Sequence, residues 1–265
     1  MIILNKNGNN YEASFFISPP SIYLDSWAWG DLSSNSDYRK RFLTFLETKG
    51  TVFFSYLNAA EISKNKGESL EKIRSFLTDI GKNWYPIESD PLKVIEREKQ
   101  YVAGKNCPFL SESFFKEYYT YGGALSLSKI ISFVQDKQGN SLLLQSDQAM
   151  EEAALFVNSK KEELLKKARL GQKICPFNTS FDSQHPTEFV YHSLLNLIFL
   201  KEKTLKFKKS DSCDFFHATV SFANSDMVLL DQRWADFTRK IKMIRTCYVY
   251  SEPQLNQFLQ KFEQW

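Results

Sequence analysis

The sequence predicts an α/β fold, and three observations carry that prediction. Short uninterrupted apolar runs near residues 22, 51, 84, 227 and 246 read as strands buried on both faces, as parallel strands are. Segments of helical periodicity alternate with them, the pattern of a parallel sheet with crossover helices. Between 106 and 204 this alternation stops and only helical signals remain. The expected organisation is therefore a core in two parts, 1–105 and 205–265, separated by a large all-helical insertion at 106–204.

In chain order, Ser21-Ile-Tyr-Leu-Asp25 is the first strand, and it ends on an acid. A helix follows from Ser36 or Asp37 to Lys49, with Leu43, Phe45 and Leu46 on its apolar face and Gly50 at its end. Thr51-Val-Phe-Phe54 is the second strand, and Ser55 caps a helix running to about Lys66. Leu70, Ile73, Phe76, Leu77 and Ile80 recur at helical spacing over 68–80, and Gly81 closes that helix. Trp84-Tyr-Pro-Ile87 is the third strand, and its Pro86 argues for a sheet edge. A helix is expected over 91–102.

In the middle, helices are expected near 111–120, 124–135, 146–169 and 187–202, with Gly122-Gly123 separating the first two. The mixed-sign run Lys160-Lys-Glu-Glu-Leu-Leu-Lys-Lys167 reads as a solvated helix face. A helix over 212–224 opens on Asp211 or Ser212. Met227-Val-Leu-Leu230 is the fourth strand and ends on Asp231. A basic helix to about 243, a fifth strand at Thr246-Cys-Tyr-Val-Tyr250 and a helix from Pro253 to Phe262 complete the chain.

Composition narrows the function. With 43% apolar and 25% charged residues in a chain of 265, neither a disordered nor a collagen-like protein fits. The 10 glycines and the absence of GxxxxGK[ST] and GxSxG disfavour a phosphate loop or a serine hydrolase. His185, His192 and His217 show no zinc spacing, and His217 reads as a packed helix residue rather than a base. Cys107, Cys175, Cys213 and Cys247 form no CxxC pair, so reduced thiols in a cytoplasmic protein are expected. No run approaches the ~18 apolar residues of a bilayer span, and no signal peptide or membrane partner is expected.

The chemistry-bearing residues are acids. Asp25 and Asp231 each follow a buried strand, where an open parallel sheet binds ligands; each is equally placed to cap a helix. Glu61 shares a helix face with Leu57, four residues earlier, and wants a cation or an ion-pair partner there. Asp211 and Asp214 open a helix, either as a capping pair or as further site acids. Several carboxylates at one place would repel one another unless a hard divalent cation joined them. One or two such cations can support phosphodiester hydrolysis.

At these residues the chain resembles a family. The pieces IYLD ending at Asp25, SYLNAAE ending at Glu61, DFFHA beginning at Asp214 and MVLLD ending at Asp231 follow the order and element context of PIN-domain nucleases. The resemblance covers about 20–104 and 205–262. It implies a PIN-like five-stranded parallel sheet in the order 3-2-1-4-5 with helices on both faces. It also implies a metal site of Asp25, Glu61, Asp214 and Asp231 holding Mg²⁺ or Mn²⁺, with Asp211 as an additional candidate. The chain departs from the family in its long helical insertion and in LLDQRW, where members often carry Thr before the acid. The roles of Asp211 and Asp226 stay open.

The formal charge of +3 is an average. Residues 201–250 hold ten Lys/Arg and six acids, a net +4. Lys206, Lys208, Lys209, Arg233, Arg239 and Lys240 thus flank the acids in sequence and are candidates for a phosphate backbone, or for an ordinary solvated surface. Trp27, Trp29 and Trp234 either stack on bases or pack in the core. The resulting expectation is a metal-dependent endoribonuclease acting on RNA. The alternatives are a catalytically weak PIN-like interaction module, with a protein partner at the insertion, and a DNA nuclease of the wider flap-endonuclease kin.

Overall fold

The computed structural model describes residues 2–7, 10–101, 107–111, 126–135, 140–171, 177, 180–201, 206–243 and 246–265. An antiparallel hairpin of β1 (Ile2–Asn7) and β2 (Asn10–Phe15) precedes the main sheet and was not expected from the sequence. The main sheet comprises β3 (Ser21–Leu24), β4 (Thr51–Ser55), β5 (Trp84–Ile87), β6 (Met227–Leu229) and β7 (Tyr248–Tyr250). All four pairings are parallel, and the order is β5-β4-β3-β6-β7. Counted along the chain this is 3-2-1-4-5, as expected. Pro86 sits on β5, the strand at one end of the sheet, where proline is tolerated.

Helices α1 (Ser26–Ser34), α2 (Ser36–Thr48), α3 (Tyr56–Ile62), α4 (Gly67–Asp79) and α5 (Pro91–Lys99) fill the first half. Then come α6 (Leu127–Gln135), α7 (Asn140–Arg169), α8 (Pro186–Lys201), α9 (Lys209–Asn224), α10 (Gln232–Thr238) and α11 (Leu255–Glu263). The expected helix near 111–120 and the Gly122-Gly123 separator lie, from 112 onward, outside the described residues. The 68–80 helix appears as α4, with Gly81 at φ +60° just beyond it, the left-handed conformation that suits glycine.

Strand alternation builds two apolar layers. Ile22, Leu24, Val52, Phe54, Trp84, Met227 and Leu229 face one side, against Trp29, Phe42, Phe76, Ile130 and Phe258 of α1, α2, α4, α6 and α11. Tyr23, Phe53, Tyr85 and Val228 face the other, against Val94, Val157, Leu194, Phe215 and Trp234 of α5, α7, α8, α9 and α10. The helices of 106–204 therefore contribute to both layers: α6 to the first, α7 and α8 to the second.

Three local readings need correction. A helix, α1, starts directly after the first strand; its Ser and Gly content and weak amphipathicity hid it. Asn35, not Ser36 or Asp37, caps α2, its side chain accepting from the Asp37 and Tyr38 amides. Helix α9 begins at Lys209, so Asp211 is its third residue and Asp214 lies in the second turn rather than the first. Asp226 has a structural place. Its Oδ2 accepts from both the amide and the hydroxyl of Ser21 at 2.8 Å, and its own N–H donates to the Ser21 carbonyl at 2.9 Å. This ties the starts of β3 and β6 together, at the opposite end of those strands from Asp25 and Asp231.

Candidate functional site

The two strand-end acids are both helix caps. Asp25 Oδ1 accepts from the Ser26 amide at 2.7 Å and opens α1. Asp231 Oδ1 accepts from the Trp234 amide at 2.9 Å and opens α10. Because Leu24 pairs with Leu229 in adjacent strands, the two caps emerge side by side, and the Asp25 N–H donates to the Leu229 carbonyl at 3.0 Å. A cap on one oxygen leaves lone pairs on the carboxylate for another partner.

Glu61 reaches the same place from α3. That helix is fixed by a capping box, Ser55 Oγ accepting from the Asn58 amide while Asn58 Oδ1 accepts from the Ser55 amide. Asn58 Nδ2 also donates to the Leu24 carbonyl at 3.2 Å and to Tyr23 Oη at 3.1 Å, locking α3 to β3. One turn further on, Glu61 meets His217 of α9, whose Nδ1 lies 3.6 Å from Asp25 Oδ1 and 4.0 Å from Glu61 Oε2. A single buried ring atom thus stands between two of the predicted acids.

Asp214 joins from α9, one turn before His217. Burial, and then the negative fields of Asp25 and Asp231, push its carboxyl up to about 7; His217 opposes this and Glu61 adds to it. Burial likewise raises the pKa of Asp231, with the Trp234 amide opposing and Asp25 adding. Burial alone would depress His217, but the acidic groups facing it, Tyr23 and Cys213 and the Asp25 carboxylate, raise it well above the usual value. Burial raises the Tyr23 hydroxyl strongly. The four acids predicted from sequence therefore share one field at the carboxyl ends of β3 and β6.

Asp211 takes a different part. Its Oδ2 accepts from the Lys208 amide at 2.7 Å, closing the start of α9, and its Oδ1 pairs with Arg233 at 2.5 Å. The same Arg233 Nη2 lies 3.9 Å from Asp214 Oδ2, and its guanidinium sits 5.2 Å from the Trp234 ring centroid. Arg233 is thus a cation built into the rim of the acidic cluster.

The other predicted cations diverge. Lys206 and Lys208 are exposed at the start of α9. Lys209 pairs with Asp147 of α7 at 2.9 Å. Arg239 binds Asp236, the Val249 carbonyl and Gln254, about 12 Å along the chain's helical rise from Asp231. Lys240 lies 5.3 Å from the Phe237 ring centroid. Trp29 and Trp234 are completely enclosed in the two apolar layers and are not available for base stacking. Trp27 is partly buried, with an Nε1 that has no hydrogen-bond partner.

Tyr23, Asn58, Cys213 and His217 belong to this site without having been expected there from the sequence. The available signal was the four-residue spacing of Cys213 and His217, which puts both on one face of α9 together with Asp214's turn. The chain matches no protein-family model, no curated protein and no solved structure.

Proposed function

We propose that the chain is a divalent-cation-dependent endoribonuclease of the PIN type. The single observation that carries this reading is the convergence of Asp25, Glu61, Asp214 and Asp231, from four separate segments, on a place where burial and mutual repulsion raise the Asp214 carboxyl to about 7. Holding several carboxylates together costs stability; His217 and Arg233 offset part of their repulsion, and a bound divalent cation would offset the rest.

The residues fit Mg²⁺ or Mn²⁺. The donors are carboxylate oxygens, the ligand type hard divalent cations prefer. Glu61 Oε2 is buried without a hydrogen-bond partner, as a ligand atom is without its ion. Asp25, Glu61, Asp214 and Asp231 are the residues that would hold the cation. When bound, it would lower the pKa of an attacking water and neutralise charge developing on the phosphodiester.

The chain's own groups define the rest. The caps of α1 and α10 orient Asp25 and Asp231, and the Asn58 bonds set the approach of Glu61. Arg233, held by Asp211, stands beside Asp214 where a phosphate's negative charge would be met. Exposed Lys206 and Lys208 at the start of α9 supply sequence-independent attraction for a nucleic-acid backbone. RNA is favoured over DNA by the family resemblance alone. Incubating purified protein with separate RNA and DNA pools in Mn²⁺ tests the reading, and cleavage of DNA only would move the assignment to the flap-endonuclease alternative.

A further inference from the structure

Cys213 and His217 play no part in a purely carboxylate cation site, yet both point into this one. They lie one turn apart on α9, both buried. Cys213 Sγ donates to Glu61 Oε1 at 3.3 Å, and His217 Nε2 is 4.0 Å from the same sulfur. One donor atom from each of Glu61, Cys213 and His217 lies within 4.8 Å of the other two. His217 Nδ1 and Glu61 Oε2 are buried without a hydrogen bond, their contacts being loose ones, Nδ1 to Asp25 Oδ1 at 3.6 Å and Nδ1 to Oε2 at 4.0 Å. His217 is only 3% exposed, so bulk water does not tighten these loose contacts.

A sulfur, an imidazole nitrogen and a carboxylate oxygen are the ligand set of Zn²⁺ rather than of Mg²⁺. We propose that Glu61, Cys213 and His217 form a thiophilic cation site, chemically distinct from the carboxylate cluster beside it, whose ligand is Zn²⁺. Tetrahedral bonds of about 2.0–2.3 Å place donors ~3.3–3.8 Å apart, so the widest separation among the three groups must close by up to about 1.5 Å. Binding requires a Cys213 thiolate and a neutral His217 imidazole, so the thiol proton and the second ring proton of a charged His217 are both released to solvent. The thiol's present hydrogen bond to Glu61 Oε1 is given up in the same step. Three protein ligands leave a fourth position for a water, and Asp25 Oδ1, 3.6 Å from His217 Nδ1, faces the ring nitrogen opposite the one nearest the thiol, where it would orient the imidazole.

A consequence rests on the proposed nuclease reading. Glu61 is common to both sites, so Zn²⁺ at the thiol would draw a ligand from the carboxylate cluster and inhibit Mg²⁺- or Mn²⁺-dependent cleavage. The site itself does not depend on that reading and is tested without it.

The test is titration of the metal-stripped full chain with Co²⁺, read as thiolate-to-cobalt charge-transfer absorption in the near ultraviolet and followed by displacement with Zn²⁺. The expected result is a band that saturates at a single equivalent, is displaced by Zn²⁺, persists in Cys107→Ser and is lost in Cys213→Ser. Thermal melts of each variant confirm folding. Should Cys213→Ser melt far below the wild type, Glu61→Gln serves in its place, with an expected weakening of Co²⁺ binding of at least about 10-fold. No band in the wild type, or a band undiminished in Cys213→Ser, overturns the proposal. Mn²⁺-dependent RNA cleavage without any cobalt band sinks the thiophilic site alone, whereas a cobalt band without cleavage sinks the nuclease reading alone.

Discussion

Asp25 and Asp231 cap two helices that leave adjacent parallel strands, and the Asp25 amide donates at 3.0 Å to Leu229, two residues before Asp231. One backbone bond therefore fixes the spacing of the two acids on which the candidate site is built. Capping and cation binding are not competing explanations, because the cap occupies Oδ1 of each carboxylate and aims the group.

This double duty separates by substitution. Asn caps helices about as well as Asp, so Asp25→Asn and Asp231→Asn should leave stability within about 0.5 kcal/mol while lowering metal-dependent cleavage by about 100-fold or more. Asp25→Ala and Asp231→Ala should cost a further ~1 kcal/mol of stability through the lost cap. Chemical denaturation and initial rates on the same preparations check both parts.

Asp214 gives a pH signature in the metal-free protein. In the fold its carboxyl is pushed up to about 7, from an ordinary value near 3.8. The native state therefore holds a proton that the unfolded chain has released, and stability falls as pH rises between those values. The cost is absent below the lower value and complete above the upper one, and amounts to roughly 2–4 kcal/mol. In EDTA, the melting temperature of the wild type should drop relative to that of Asp214→Asn between pH 4 and pH 7, and Mn²⁺ should restore it. Parallel pH profiles for the two proteins would count against the assignment.

The basic residues should divide into two groups. Lys206→Ala and Lys208→Ala should weaken RNA binding for all sequences and reduce the salt slope by about 1 each. Arg239 is committed to Asp236, Val249 and Gln254, so Arg239→Ala should lower stability and leave the slope unchanged. Binding titrations at several salt concentrations distinguish them.

Trp29 and Trp234 are core residues, and each →Ala substitution should cost about 3–5 kcal/mol in denaturant melts. An unaltered melt with weakened RNA binding would instead mark a stacking residue.

Much of the sheet was legible because its strands are short runs of Ile, Val, Leu and Phe buried on both faces, which periodicity cannot mistake for loops. Asp25 and Asp231 were legible for the same reason, since both follow such strands, whereas Glu61 and Asp214 lie inside helices and were singled out by helix position and the family resemblance. Helix α1 was hidden because Trp27, Gly30, Ser33 and Ser34 give no clear amphipathic stripe. The β1–β2 hairpin was missed because Asn-rich strands carry weak strand propensity. Cys213 and His217 were passed over because Glu61 is 152 residues away from Cys213 in sequence and meets it only in the folded chain.

The most direct measurement is gel mapping of a pooled RNA incubated with the purified full chain in Mn²⁺, in EDTA, and in Mn²⁺ with Asp231→Asn. Internal cuts are expected in the first reaction and intact RNA in the other two. Equal cutting by Asp231→Asn, or cutting that EDTA does not stop, would contradict the nuclease reading.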